Sequence, residues 1–150
     1  MRKSFGLALA ASACLLATGA PAQDAAAPTE RVSMTGNTLA APPEGMGQVV
    51  FFRKSVFGGR AISCAVHENG QKISSLPPGN FAVIAATPGV HNYSVKSEAT
   101  DTLRLEVEAG ETYYAKCSIG MGFMAGRPNL SPSDEATFEA TKLKPVKKES

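Results

Sequence analysis

From Gln48 to Ile119 the chain breaks into short runs of apolar, β-branched and aromatic residues, set off by Gly, Pro, Asn and Asp. Runs of that length and composition predict strands. Gln48–Arg53 is apolar on both faces, as a central strand requires. Ser55–Gly59 reads as a loop and Arg60–His67 as the next strand. Asn69-Gly70 is a strong two-residue hairpin signal, with Lys72–Leu76 as the returning arm. The stretch Leu76–Val95 carries two Pro-Gly pairs, Pro78-Gly79 and Pro88-Gly89, that fit type II turns. Between them Phe81, Val83 and Ala85 alternate with Ala82, Ile84 and Ala86, and Val90–Val95 is expected to return as the antiparallel partner of that run. Thr102–Glu108 alternates leucine and valine with Thr, Arg and Glu, the signature of a strand with one solvated face. Thr112–Ile119 is the last expected strand. About seven strands joined by short turns predict an all-β fold, a single antiparallel β-sandwich.

The flanks have a different texture. Arg2-Lys3, the apolar run Phe5–Ala17 and Ala20-Pro21-Ala22 form a secretory signal pattern over residues 1–22. Gly19 and Pro21 argue against a retained anchor helix. Lipidation at Cys14 is the competing reading, but the Leu expected three residues before such a cysteine is absent. Residues 23–47 are rich in Ala, Pro, Thr and Gly and predict a disordered linker, either a tether or an unselected remnant. The sandwich is expected over 48–143. Within it, Ser131-Pro132-Ser133-Asp134 resembles a helix start with Ser131 as the cap, predicting a short C-terminal helix to about Thr141. Residues 144–150 read as a basic, solvated tail. The chain has fifteen Lys and Arg against thirteen Asp and Glu. Removing residues 1–22 takes away Arg2 and Lys3 and leaves a near-neutral chain, which argues against nucleic-acid binding.

Chemistry-bearing residues are sparse. Beyond Cys14, the cysteines are Cys64 and Cys117. Cys64 shares strand parity with Ile62 and Val66, and Cys117 with Tyr113, Ala115 and Ile119, so both are expected to point to the core. In an exported chain that pairing favours a disulfide, worth about 4 kcal/mol in the chain-entropy picture. Two buried thiols acting as small hydrophobes are the alternative. Cys64 and His67 lie at an odd offset and face opposite ways on a strand. His67 and His91 with Met46, Met121 and Met124 would form a soft metal set, but the methionines lack compact spacing. No arrangement around Asp101 or the histidines suggests a nucleophile with its base. Tyr114 faces outward, yet with no Trp in the chain it makes a weak sugar platform. No cofactor or metal site is expected. The Gly-rich loop Gly120–Gly126 with Met121, Phe123 and Met124 either binds an apolar partner or caps one end of the sandwich.

The motifs Val50-Phe51-Phe52-Arg53, Glu68-Asn69-Gly70, Leu76-Pro77-Pro78-Gly79-Asn80-Phe81, Thr87-Pro88-Gly89-Val90-His91 and Ala109-Gly110-Glu111-Thr112-Tyr113-Tyr114 resemble the bacterial family called domain of unknown function 2846, itself similar to PEGA-type sandwiches. The resemblance spans about residues 46–119, with a weaker tail to 143. It implies a fold and an exported or lipid-anchored setting, and supplies no catalytic residues. The expectation is a periplasmic or secreted, non-enzymatic interaction module with an envelope protein or apolar ligand as partner, and no transmembrane segment in the mature chain. An outer-membrane-anchored structural lipoprotein, and a small metal-binding protein or hydrolase, are the alternatives.

Overall fold

The computed structural model describes residues 39–57, 60–123 and 126–147. In chain order these residues form β1 (Gly47–Arg53), β2 (Cys64–Glu68), β3 (Gln71–Leu76), β4 (Asn80–Ala86), β5 (Gly89–Lys96), β6 (Thr100–Val107), β7 (Thr112–Gly120), β8 (Arg127–Ser133), α1 (Glu135–Glu139) and β9 (Lys144–Pro145). β1 is buried along its whole length. Val49 and Phe51 enter one apolar cluster and Val50 and Phe52 another. A strand with two apolar faces belongs mid-sheet, and β1 is the centre of a sheet ordered β8-β7-β1-β4-β9. The second sheet is ordered β3-β2-β5-β6. The two pack face to face as an all-β sandwich. Val49, Phe51, Ile84 and Ala115 meet Val66, Leu76, Tyr93, Val95 and Leu103 in one core. Phe51 and Tyr93 pack edge-on at 4.9 Å. Cys64 on β2 and Cys117 on β7 bring their sulfurs to disulfide distance, 2.02 Å, across the two sheets.

Several expected details differ. β4 and β5 do not form a hairpin. β4 pairs with β1, and β5 pairs with β2 and β6, so Pro88-Gly89 is a corner where the chain changes sheets. Gly89 has φ +135°, unlike the +77° of Gly79 in the turn before β4. The physical reason lies in the strands: β4 is apolar on both faces and completes the middle of its sheet, whereas β5 exposes Val90, Asn92 and Lys96. β1 and β7 run parallel, which the long connection between them allows: it builds the whole second sheet and β4. β2 begins at Cys64 rather than Arg60. Arg127–Ser133 is an eighth strand where a helix start was expected. Pro128 and Pro132 are tolerated because β8 is an edge strand. The helix is capped by Asp134 and not Ser131: its Oδ1 accepts from the Thr137 N–H at 2.7 Å. That bond, with a second from the Thr137 hydroxyl, holds the Asp134 carboxyl below the usual carboxylate range.

The expected domain limits also move. Lys144 and Pro145, read as solvated tail, pair in parallel with Asn80 and Phe81, and the Val146 N–H reaches the Phe81 carbonyl at 2.9 Å. Leu39 and Ala40, read as linker, lie on the sheet. Leu39 packs on the outer apolar cluster and Gln48 Nε2 donates to the Ala40 carbonyl at 2.9 Å. The signal pattern, Cys14 and linker residues 23–38 lie outside the described residues.

These additions have one cause. The outward side chains Val50, Phe52, Phe81 and Val83 need a cover that a two-layer sandwich does not provide. Phe138 of α1 supplies it, with ring centroids 5.5 Å from Phe52, 5.1 Å from Phe81 and 5.4 Å from Tyr114. Leu39 and Leu143 complete the cover. Burial there, with the Glu135 carboxylate beside it, pushes the Tyr114 phenol up to about 12. By contrast the outer face of the second sheet is polar, with Asn92, Arg104 and Glu106 exposed.

Two outcomes follow from this packing. Leu103→Asp places an unpaired charge in the core and should cost about 4 kcal/mol or more, whereas Arg104→Asp, on the solvated face, should change stability by under about 0.5 kcal/mol, measured by chemical denaturation. For Tyr114 the folded pKa lies above the unfolded value, so its contribution is intact below pH 10.0 and lost as pH rises toward about 12. Denaturation at stepped pH should therefore show a shallower loss of stability across that window in Tyr114→Phe than in the parent.

Candidate functional site

The strand directions sort the loops to two ends. The carboxyl ends of β1 and β7 lie side by side, Arg53 opposite Cys117. The β1–β2 loop and the β7–β8 loop therefore leave from one end, here the upper end. The β5–β6 turn joins them: the Phe123 N–H donates to Glu98 Oε2 at 3.1 Å. The β6–β7 turn lies at the lower end, where the Gly110 N–H meets the Met46 carbonyl at 2.9 Å and the Gln48 N–H meets the Glu111 carbonyl at 3.0 Å.

The upper end presents apolar side chains to water. Phe57 is 91% exposed, Phe123 96% and Met121 100%, and Val56 is half exposed. Among the described residues Val90, at the lower end, is the other large apolar side chain so exposed. Exposure of this kind opposes the hydrophobic effect unless something covers it. Phe57 has one neighbour of note, the Arg60 guanidinium 4.9 Å from its ring centroid.

The base beneath these tips is fixed from three directions. Arg53, 1% exposed, donates through Nη1 to the carbonyls of Ile62 and Leu76, so the strand end holds the loop's exit. Its burial lowers the guanidinium's pKa from the ordinary value. Cys64, two residues past Ile62, is bonded to Cys117, three residues before Gly120. Gly126 sits against Ile62 and Ile119 with no room for a Cβ, so the two loops touch at their roots. The result is two short apolar loops on a braced platform.

Of the loop residues expected from sequence, Met121 and Phe123 stand at this end, and Met124 lies outside the described residues. Val56, Phe57 and Arg60 were not foreseen. Their signal was present, since Phe57-Gly58-Gly59 repeats the Gly-flanked aromatic of Gly122-Phe123. Met46 lies at the opposite end from Met121, so these two do not share a site. His67 Nδ1 sits 3.0 Å from the Ala65 carbonyl. His91 is a corner brace: Nε2 donates to the Thr87 carbonyl at 2.7 Å, Nδ1 pairs with Glu68 Oε1 at 2.5 Å, and the ring stacks on Tyr93. Asp101, expected in a loop, lies in β6 and clips it to β8: its Oδ2 accepts from the Leu130 N–H at 2.8 Å and the Asn129 amide at 3.0 Å. Among the described residues no group of three His, Cys, Asp or Glu could hold a metal ion. None of their helices is long and apolar enough to cross a membrane. An open groove of about 970 Å³ runs along the cover of the first sheet, past Tyr114, Glu135, Phe138 and Lys142.

No curated protein and no solved structure matches the chain. A family model described as "Protein of unknown function (DUF2846)" matches residues 43–129, from the segment before β1 into β8. That span covers β1 to β7 and both upper loops, and takes in Arg53, Cys64, Phe81, His91 and Cys117. The chain belongs to this family of unknown function.

Proposed function

We propose that this chain is an exported, non-catalytic interaction module of the bacterial cell envelope that docks through its upper loops. One observation carries the reading: Phe57, Met121 and Phe123 project almost fully into solvent from loops whose roots are locked. Large apolar side chains at such exposure are a surface awaiting a partner. A platform that does not rearrange loses little conformational entropy on docking. The signal pattern at residues 1–22 and the paired cysteines support the exported setting, because such a bond persists in an oxidising compartment.

A photo-crosslinking residue placed at Phe123 or at Phe57 in living cells tests this directly. Both positions should give discrete adducts with an envelope component. The same probe at Asn92, on the polar face of the second sheet, should give none. Adducts of equal yield from all three positions, or from Asn92 alone, would contradict docking through the upper end.

A further inference from the structure

The geometry points to a specific partner, and the inference rests on the docking reading above: the upper end inserts its apolar tips into the surface of a bilayer that contains anionic phospholipid. The tips project outward, with Met121 fully exposed and Phe57 and Phe123 nearly so. Single protruding side chains suit the boundary between headgroups and acyl chains, where aromatic rings are enriched.

The charges around the tips are arranged to match. Lys54, Arg60, Lys96 and Arg127 are exposed on the loops and strand ends of the upper end. The acids there, Glu98 and Asp101, are turned onto the protein's own N–H groups at Phe123, Leu130 and Asn129. At the lower end Glu44, Glu108 and Glu111 are exposed, against one exposed base among the described residues, Lys72 on the β2–β3 hairpin. A near-neutral molecule thus has a surplus of bases at its upper end and of acids at its lower end, which orients it with the cationic end toward an anionic surface. Arg60 adds a local device. Its guanidinium lies over the Phe57 ring. As the ring enters the acyl boundary, the long side chain can keep its charge among the phosphates.

Co-sedimentation of the full chain with its signal removed and its disulfide intact tests the inference. Vesicles of phosphatidylethanolamine with phosphatidylglycerol should pellet the protein, and vesicles of phosphatidylcholine alone should not. Phe57→Ser with Phe123→Ser should abolish binding with the circular dichroism spectrum unchanged. Arg60→Gln and Arg127→Gln should each weaken it about fivefold, and raising the salt concentration should weaken the parent. Equal binding to both vesicle types, or binding that ignores the phenylalanines, overturns the inference. Absence of vesicle binding with a protein adduct from Phe123 overturns the lipid partner and leaves docking through the upper end intact. Absence of both vesicle binding and any adduct overturns the two together.

Discussion

The bond between Cys64 and Cys117 joins two sheets at the point where the chain enters the second sheet and the point where β7 is about to end. Directly beside it, the buried Arg53 side chain holds the carbonyls of Ile62 and Leu76. A buried guanidinium requires several acceptors, and two backbone carbonyls serve here, one in the segment before β2 and one at the end of β3. The ion and the covalent link therefore constrain the same short segment, Ile62–Cys64, from two sides. The roots of both apolar loops inherit that constraint, since Gly126 rests on Ile62. Without it the tips would hang from two mobile connections; with it they stand at fixed positions.

The opposite demand comes from β1. Two apolar faces make it the centre of the sandwich, but they also leave an outward apolar surface. The chain meets that need locally: Leu39 approaches before β1, and Phe138, Leu143 and β9 return after β8. One aromatic ring, Phe138, touches three others, which explains how a five-residue helix with no buried residue of its own stays in place. The cover occupies one flank and leaves the upper end open, so the apolar surface that remains exposed is concentrated on the loops.

Much of this was legible in the sequence, and the failures have physical explanations. Asn69-Gly70 announces its turn because both residues must adopt positive φ, as they do, at 49° and 80°. The inward parity of Cys64 and Cys117 follows from period-two alternation alone. Parity says nothing of which sheet a strand joins, so the Pro88-Gly89 corner looked like a hairpin. The contrast between two-faced β4 and one-faced β5 was the available clue. β8 was hidden by its prolines, which forbid a central strand and permit an edge one. The Met121 and Phe123 loop was legible as a candidate, whereas Phe57 became one only once the parallel pairing of β1 and β7 placed both loops at one end. Long-range pairing of that kind leaves no local mark on the chain.

Hydrogen exchange read by mass spectrometry, with the disulfide intact and then reduced, tests the central claim most directly. If the cross-sheet bond holds the upper end, reduction should raise exchange at short times over Ile62–Val66 and around Ile119, with β4 and β6 little changed at those times. Uniform acceleration across both sheets, or no acceleration at the loop roots, would contradict the account.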